Sequence, residues 1–356
     1  DNNLQKNASF TEGLDQKQLG IQIGISVALF IPFLFCCSLW TIVFYIGLFR
    51  LLTNAKYLFD TAKEYLLTKK LDLGQRYGKG SYVLITGGAN GIGLEYAKQF
   101  SLLGFNLILV DLDQEGLDKA KNEISSKRSD VDVIVIKSDM TKLRTAEELK
   151  NVLSEVLEKD ISILINNVGV ASALPFHEAS TKIINDMVHL NSNTLVTLTS
   201  ILSSKLSLRT KDSEYKSAII NMCSSSSFYP VPIFFLYSMT KAFVKFFSES
   251  LEIESTPGID IMNACPGFVS TYMTCHREDS YTITTDVCVT NILRSLGQYV
   301  QTEVTLNTRL MVALLFQAIW YISPLAILNI VLKLNDNTKG KELIDKIRNR
   351  EKQQYK

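Results

Sequence analysis

Histidine is scarce in this sequence, cysteine follows no ligand spacing, and neither sign of charge is in excess. The 356 residues include three histidines and six cysteines, and no two cysteines form a C-x-x-C pair. A disulfide framework and a zinc ligand set are therefore both disfavoured, and no metal site is expected. Lysine plus arginine count 37 against 36 for aspartate plus glutamate, so nothing indicates a nucleic-acid partner.

Apolar residues, by contrast, are plentiful. They make up 46% of the chain while charged residues make up 21%, which excludes a disordered or collagen-like protein. A length of 356 residues fits one large domain with added segments, or two domains.

The first long apolar run lies between Lys17 and Arg50, where 32 consecutive positions carry no charge. A helix of about 20 residues is enough to cross a bilayer, so we predict a transmembrane helix over residues 21–49 after an N-terminal tail, residues 1–20. Two lysines precede the run, whereas seven lysines and arginines lie between residues 50 and 80. The positive-inside bias then places everything after residue 50 in the cytosol, or in the matrix if the membrane is mitochondrial.

Three further segments flank the central part of the chain. Residues 50–79 place apolar side chains three and four residues apart with lysines between them, which predicts an amphipathic connecting helix. A second uncharged run of 23 residues, 310–332, contains Pro324 and several polar residues. We therefore predict apolar membrane-associated helices over residues 309–333, with a full span as the alternative, and a charged tail over residues 334–356.

Residues 80–308 alternate short apolar runs with segments of helical length. The runs cover residues 81–86, 106–111, 131–137, 161–166, 217–222 and 259–264. Strands that are apolar throughout and separated by helices are typical of a parallel sheet covered on both faces. With right-handed crossovers, the predicted fold is an α/β, Rossmann-type, doubly wound parallel sheet.

A glycine-rich segment, TGGANGIG at residues 86–93, connects the first of these strands to a helix. Gly87, Gly91 and Gly93 follow the spacing G-x-x-x-G-x-G rather than the commoner G-x-G-x-x-G. Glycines at such a turn let backbone N–H groups approach a pyrophosphate, and the helix dipole favours its negative charge. The alternative is a tight connection that binds no ligand.

The next strand ends at Asp111, 18 residues after Gly93. A carboxylate there can accept hydrogen bonds from the adenosine ribose and would repel a 2′-phosphate, which favours NAD(H) over NADP(H). The alternative is an ordinary strand-end or helix-capping aspartate, and Asp113 competes for the capping role.

Ser224, Tyr237 and Lys241 are the candidate catalytic residues. Tyr237 and Lys241 are four residues apart, so on a helix both side chains lie on one face. A phenol in water titrates near pH ~10, and an adjacent ammonium or a cationic nicotinamide is expected to lower that pKa. Ser224, at the end of a strand, can hydrogen-bond the same substrate oxygen. Taken singly, each of the three also has a structural interpretation.

In their order along the chain, these motifs resemble the short-chain dehydrogenase/reductase family. The resemblance rests on TGGANGIG at 86–93, Asp111, Asp139, NNVG at 166–169, Asn191, Ser224, Tyr237 with Lys241, and PGFVST at 266–271. It implies that Asp139 contacts the adenine, that Asn191 holds a proton-relay water beside Lys241, and that Thr271 binds the nicotinamide carboxamide. Asn167 and Gly169 would support the cofactor side of the sheet. The implied cofactor-binding residues are Gly87, Asn90, Gly91, Ile92, Gly93, Asp111, Asp139, Asn167, Gly169, Tyr237, Lys241, Pro266, Gly267, Val269 and Thr271, and the implied catalytic residues are Asn191, Ser224, Tyr237 and Lys241.

Within this family the chain is more similar to the membrane-bound branch of 17β-hydroxysteroid dehydrogenases and very-long-chain 3-oxoacyl-CoA reductases. NNVGV, the aromatic-rich stretch of residues 228–248 and the two long apolar runs carry that similarity. Two positions depart from it. Asp111, in LVDLD, replaces the Ser-Arg strand end of members that use NADPH, so NADP(H) stays open as the alternative cofactor. Cys223 replaces the first of a serine pair and leaves Ser224 intact.

We therefore predict a membrane-anchored oxidoreductase that interconverts a ketone and a secondary alcohol on a lipophilic substrate, either a 3-oxoacyl-CoA or a steroid-like compound. The resemblance implies the endoplasmic reticulum with a cytosolic domain, and the mitochondrial inner membrane with a matrix domain is the alternative. Two other functions fit the sequence: an accessory subunit of a large membrane complex, such as a respiratory one, with little turnover, and a lipid sensor that binds nucleotide without hydride transfer. A homodimer or a larger membrane complex is open as the assembly.

Overall fold

A computed structural model of the chain describes residues 39–231, 233–255 and 257–312 together with residues 345, 346 and 349. The tail 1–20, most of the segment 21–49 and most of residues 309–333 and 334–356 lie outside these residues. Among the described residues, no helix combines the length and the apolar character needed to cross a bilayer. The predictions made for the two long apolar runs therefore stay predictions.

The chain divides into two compact units, residues 1–67 and residues 68–356. In the first unit, helix α1 spans Leu39–Ala62 and continues into a single π-helical turn, Lys63–Leu67. Lys56 and Asp60 form an exposed ion pair one turn apart on this helix, with 2.5 Å between Nζ and Oδ2. The boundary that the sequence predicts at residue 50 falls inside α1, so one helix covers parts of both predicted segments.

The second unit begins with a short helix, α2 (Leu73–Tyr77), and is built on a seven-stranded parallel sheet. The nine strands of the described residues are β1 Tyr82–Thr86, β2 Asn106–Asp111, β3 Val133–Lys137, β4 Ile161–Asn166, β5 Ser217–Met222, β6 Ile259–Ala264, β7 Phe268–Val269, β8 Thr282–Ile283 and β9 Gln301–Thr302. The sheet order is β3-β2-β1-β4-β5-β6-β9, while β7 and β8 pair with each other. The predicted Rossmann-type sheet is confirmed, and its first six strands lie within two residues of the predicted runs.

Helices cover both faces of the sheet. They are α3 Gly91–Leu102, α4 Gln114–Lys127, α5 Ala146–Leu153, α6 Thr181–Val188, α7 Thr194–Asp212, α8 Phe235–Glu254, α9 Thr285–Ser295 and α10 Leu306–Met311. One apolar cluster joins the sheet to α3, α4 and α9, and a second joins its other face to α5 and α7. Strands β4 and β5 are buried along their whole length, which explains their continuous apolar sequence.

The sheet order creates a crevice at the carboxyl ends of β1 and β4, because the connections from these two neighbouring strands leave toward opposite faces. Three asparagines, Asn166, Asn221 and Asn263, lie in register at this edge on adjacent strands. The Asn166 side-chain amide donates to Asn221 Oδ1 at 2.9 Å, and that of Asn263 donates to Gln301 Oε1 at 3.2 Å. These cross-strand bonds satisfy buried donors and fix the spacing of the strand ends that carry the site.

Candidate active site

The predicted glycine turn is present at the carboxyl end of β1. Gly87 has φ of +69°, a left-handed conformation that glycine adopts without strain. A Cβ on Gly93 would overlap the carbonyl oxygen of Gly87, so only glycine lets the turn close against α3. Asn90 precedes the 12-residue helix α3, but its side chain accepts no hydrogen bond from the helix. Asn90 therefore does not cap the backbone N–H groups of the first turn. The turn therefore fits a pyrophosphate.

Asp111 ends β2 beside this turn. Its Oδ2 accepts a hydrogen bond from the Ala89 N–H and its Oδ1 one from the Asp113 N–H, both at 3.1 Å. Asp113, not Asp111, caps α4, because its Oδ1 accepts from the Gly116 N–H at 3.0 Å. Asp111 is thus oriented by backbone donors and stays partly exposed, at the position where an adenosine ribose is expected.

Asn167 joins the end of β4 to the glycine turn. Its side-chain amide donates to the carbonyl oxygens of Thr86 at 2.9 Å and Gly87 at 3.1 Å. The Asn167 and Val168 N–H groups both donate to the Thr86 hydroxyl, at 3.0 and 3.1 Å. The two central strands are therefore held together at the point where the crevice opens.

Thr271 approaches the glycine turn from the loop after β7, with its Cγ2 3.4 Å from the position that a Cβ on Gly91 would take. Pro266, Gly267 and Val269 lead from β6 into that loop, and Ile92 packs against the core from α3. Asp139 lies further along the sheet edge, after β3. Its carboxylate there accepts from the Thr141 hydroxyl at 2.6 Å and pairs with Lys142.

Ser224, Tyr237 and Lys241 come together at the carboxyl end of β5. Ser224 stands at the start of a short 3₁₀ helix, Ser225–Phe228, where its Oγ accepts a hydrogen bond from the Ser226 N–H at 3.2 Å. Its hydroxyl is close enough to the Tyr237 phenol to lower the pKa of that phenol. Tyr237 and Lys241 lie one turn apart on α8, and Lys241 Nζ is 5.5 Å from the centroid of the Tyr237 ring. The same Nζ donates to the carbonyl oxygen of Met222 at 2.7 Å. The three predicted catalytic side chains are therefore neighbours.

The pKa of Tyr237 is shifted in the direction opposite to the one predicted from the sequence. Burial raises the pKa of Tyr237, and only the hydrogen bond with Ser224 acts in the opposite direction. Lys241 does not lower the pKa of the phenol here because its ammonium is itself buried, which lowers its own pKa, and bonds to the Met222 carbonyl. The positive charge of an oxidised nicotinamide is the remaining source of phenolate stabilisation.

Asn191 lies in a single π-helical turn, His189–Asn193, between α6 and α7. Its Oδ1 accepts from the Val170 N–H at 2.9 Å, and its amide donates to the Val170 carbonyl at 2.8 Å and to the Thr240 hydroxyl at 3.1 Å. A Cβ on Gly169 would lie 3.1 Å from Asn191 Oδ1 and 3.7 Å from Lys241 Nζ. Asn191 thus connects the end of β4 to the helix that carries Lys241.

Tyr237 packs against an apolar cluster. Leu174, Ile183, Met187 and Leu236 are its buried members, and the partly buried Tyr237 packs against them with Val170 and Phe235. Among the described residues, this cluster supplies apolar side chains directly around the phenol. A carbonyl or alcohol that reaches Tyr237 would therefore be surrounded by hydrocarbon rather than by charge.

Sequence reasoning missed several residues of the site. Thr240 accepts the Asn191 amide, and Leu174 and Leu236 shape the surroundings of Tyr237, yet none of them belongs to a motif. Leu236 could have been found from its place beside Tyr237 on α8. Leu174 and Cys275 have no local signal, because only tertiary packing brings their loops to the site.

Comparison with known proteins agrees with this geometry. A family model described as short chain dehydrogenase matches residues 81–282. The very-long-chain 3-oxoacyl-CoA reductase-B of Danio rerio is 32% identical over 211 residues, which cover 58% of this chain and 65% of that protein. The 17-beta-hydroxysteroid dehydrogenase type 3 of Danio rerio is 33% identical over 225 residues, covering 61% of this chain and 70% of that protein. The match to the first of these relatives thus spans just under two thirds of its length.

A solved structure with the same fold is a short-chain dehydrogenase from Sphingobium yanoikuyae in complex with NADPH. It superposes with a TM-score of 0.58 and 27% identity over 68% of this chain and 94% of that chain. The region that superposes includes a nucleotide-binding fold, as the glycine turn and the crevice of this chain lead one to expect.

Proposed function

Because the chain belongs to the short-chain dehydrogenase family, we propose that it is an NAD(P)(H)-dependent oxidoreductase that interconverts a ketone and a secondary alcohol on a lipophilic substrate. The observation that carries the proposal is the contact of Ser224, Tyr237 and Lys241 beside an apolar cluster and within the crevice that holds the glycine turn. Each of the three side chains has a distinct task in such a reaction.

In the reductive direction, the Tyr237 phenol donates its proton to the substrate oxygen, and in the oxidative direction the phenolate takes it back. The Ser224 hydroxyl, beside the phenol, donates a hydrogen bond to that same oxygen and stabilises the charge that develops on it. When bound, the nicotinamide supplies or accepts the hydride. Lys241 holds the cofactor ribose, and Asn191 fixes the backbone around the lysine.

For the cofactor we propose NAD(H) before NADP(H). The support is the partly exposed Asp111 carboxylate, which backbone N–H groups hold beside the glycine turn, where a 2′-phosphate would be repelled. Residues Gly87, Gly91 and Gly93 would hold the pyrophosphate, and Thr271 would contact the nicotinamide end. NADP(H), which is bound in the solved relative, is the alternative.

For the substrate we propose a 3-oxoacyl thioester, with a steroid-like ketone as the alternative. Both classes match the names of the relatives, and both present a ketone on a large apolar body. The apolar cluster of Leu174, Leu236 and their neighbours supports this class over a small polar hydroxy acid. We further propose membrane anchoring through residues 21–49, in the endoplasmic reticulum with a cytosolic catalytic unit or, as the alternative, in the mitochondrial inner membrane.

The test is ketone reduction by full-length protein purified in detergent, with long-chain 3-oxoacyl-CoA and either NADH or NADPH. Tyr237→Phe keeps the ring and removes the acid, so kcat should fall by about 10²–10⁴-fold. Tyr215→Phe, at a half-exposed tyrosine just before β5, is the matched control and should leave kcat unchanged. Full activity in Tyr237→Phe would overturn the mechanism, and nucleotide binding without turnover in the wild type would favour an accessory or sensor role.

A further inference from the structure

An apolar rim near the catalytic tyrosine is formed by three exposed side chains, Phe176, Tyr272 and Met273, together with the partly buried Phe235. Phe176 is 68% exposed and Tyr272 is 67% exposed. The rings of Phe176 and Phe235 make an edge-to-face contact with centroids 5.2 Å apart. We call this set the apolar rim.

The segments that carry the apolar rim come together around Ala173. Ala173 is fully buried and packs against Phe234 on one side and Cys275 on the other. The Cys275 N–H donates to the Tyr272 carbonyl oxygen at 3.1 Å, which places the turn that carries Tyr272 and Met273 next to the loop that precedes Phe176. The rim therefore combines two loops that are about a hundred residues apart in sequence.

The apolar rim leads directly to the phenol. Phe235 is two residues before Tyr237 on α8, and both pack in the cluster that contains Leu174 and Leu236. The apolar side chains of the rim therefore adjoin those that pack around the catalytic group.

Both signs of charge lie around the rim. Arg277 and Asp279, in the same loop as Tyr272, form an ion pair with each other, and Glu178 and Glu278 are exposed. The guanidinium of Arg277 also lies 4.4 Å from the centroid of the Phe268 ring, so part of its charge is covered. Exposed aromatic and Met side chains fit the headgroup and acyl boundary of a bilayer better than they fit a charged protein partner.

The direction of the chain gives the second reason for a bilayer. Helix α10 packs at the base of the Tyr272 loop, since a Cβ on Gly267 would lie 3.1 Å from Thr308 Oγ1. The uncharged run of 23 residues starts at Leu310, two positions after Thr308. The longest apolar segment in the second half of the sequence therefore begins beside the loop that carries half of the rim.

We propose that the apolar rim is the surface through which the catalytic unit contacts a lipid bilayer, so that a long-chain substrate moves from the bilayer to Tyr237 without crossing water. The proposal rests on the proposed function for the nature of the substrate. Its structural part, contact between the rim and lipid, is independent of catalysis and can be measured separately.

The first measurement is the depth of the rim in the full-length protein reconstituted into phosphatidylcholine vesicles. The chain has two tryptophans, Trp40 and Trp320, so Phe176→Trp in a background of Trp40→Phe and Trp320→Phe reports on the rim alone. Acyl chains brominated along their length should quench this indole by more than about half. The control is Leu102→Trp in the same background, because Leu102 is 64% exposed at the end of α3, at the opposite edge of the sheet.

Quenching at position 176 with none at position 102 supports the proposal. Equal quenching at both positions, or none at either, overturns it, and the second result would point to another part of the chain or a second copy as the cover of the rim. The same measurement with Tyr237→Phe added should leave the quenching unchanged. Failure of the proposed catalytic function is thus distinguished from failure of the bilayer contact.

The second measurement is kinetic. Phe176→Glu should raise KM for a long-chain 3-oxoacyl substrate presented in vesicles by about tenfold, because a carboxylate opposes insertion of the rim. KM for a short-chain, water-soluble 3-oxoacyl thioester should stay within about twofold of the wild-type value, since that substrate has no need of the lipid route. Leu102→Glu should change neither KM. An equal rise for both chain lengths in Phe176→Glu would mean that the rim is only part of the pocket wall, and would overturn the proposal.

Discussion

At the glycine turn, on the proposed cofactor side of the site, glycines adopt left-handed backbone conformations. On the proposed substrate side, residues with a Cβ adopt them. Gly87 and Gly91 have φ of +69° and +58° at the glycine turn. Ile233, Cys275 and His276, in the two loops that pack against Ala173, have φ of +70°, +56° and +51°. A left-handed conformation costs a residue with a Cβ about 1–2 kcal/mol, while glycine adopts it freely.

The difference has a physical reason. On the cofactor side, backbone atoms themselves have to approach the pyrophosphate, so a Cβ is excluded and side-chain bonds such as those of Asn167 and Asn191 keep the backbone in place. On the proposed substrate side, apolar side chains pack against one another, and this packing holds the loops in strained conformations. The cofactor side should therefore tolerate few substitutions, and the substrate side should tolerate many.

Ser224 lies where the two sides meet, and its replacement should have the largest effect. Ser224→Ala removes a donor to the substrate oxygen, so kcat should fall by about 10²–10³-fold. It should also move the pH profile of the remaining activity. Burial raises the pKa of Tyr237 and the hydrogen bond with Ser224 lowers it, so the variant phenol should have a still higher pKa.

The direction of the shift in each pH profile follows from the protonation state of Tyr237 that oxidation or reduction needs. Alcohol oxidation needs the phenolate, so its rising limb should shift to higher pH in Ser224→Ala. Ketone reduction needs the protonated phenol and is lost as pH rises through the pKa, so it should persist to higher pH than in the wild type. The measurement is kcat/KM against pH in both directions, with Ser204→Ala, at an exposed serine of α7, as the control. A shift toward lower pH would contradict the assignment.

Gly93→Ala tests whether the glycine turn tolerates an added Cβ. The added Cβ would overlap the Gly87 carbonyl oxygen, so the turn would have to open at a cost of about 1–3 kcal/mol. We expect cofactor affinity to fall by about 10–100-fold, measured by quenching of protein fluorescence on NADH binding. Gly47→Ala is the matched control, because a Cβ there, also within a helix, meets nothing within 4 Å. An unchanged affinity in Gly93→Ala would mean that this turn does not hold the pyrophosphate.

Asp111→Ser tests selectivity on the same side with a smaller expected effect. Removing the carboxylate should change the ratio of NADH to NADPH affinity by about tenfold in favour of NADPH, since the repulsion of a 2′-phosphate is lost. Asp113→Ser is the control, because Asp113 caps α4, a role that serine also fills, and its replacement should leave the ratio unchanged. If NADPH binds more tightly than NADH in the wild type and Asp111→Ser leaves the ratio unchanged, the proposed role of Asp111 is wrong.

The same contrast explains how much of the molecule could be predicted from its sequence. Six strands and the glycine turn are signalled locally, because buried parallel strands are continuously apolar and a pyrophosphate turn needs glycine. Strand β9 was missed because two residues, Gln301 and Thr302, are too few for any pattern. The π-helical turn at Asn191 was missed because VHLNSNT reads as an ordinary helix, and its shape depends on the bonds from Asn191 to Val170 and Thr240.

The substrate side could not be predicted in the same way. The neighbours of Tyr237 include Leu174, while Cys275 and Phe234 pack on Ala173, and these contacts join segments far apart in sequence. The expected lowering of the Tyr237 pKa by Lys241 was wrong for a related reason. One-turn spacing brings the two side chains together, but burial and the bond from Lys241 to the Met222 carbonyl depend on the whole fold.

His276→Gly is the inverse of Gly93→Ala and should have the smallest effect. His276 is exposed, has φ of +51°, and its N–H donates to the Thr271 carbonyl oxygen at 2.7 Å, a bond that glycine keeps. Relief of the left-handed strain, worth about 1–2 kcal/mol, is offset by the larger entropy of glycine in the unfolded chain, about 0.5–1 kcal/mol. The free energy of unfolding should therefore rise by at most about 1.5 kcal/mol, as measured by denaturant unfolding in detergent, and cofactor affinity should not change. His276→Val, which places a β-branched residue at the same φ, should lower the free energy of unfolding. If His276→Gly is destabilising by more than His276→Val, the substrate loops are as restricted as the glycine turn, and the contrast between the two sides of the site does not hold.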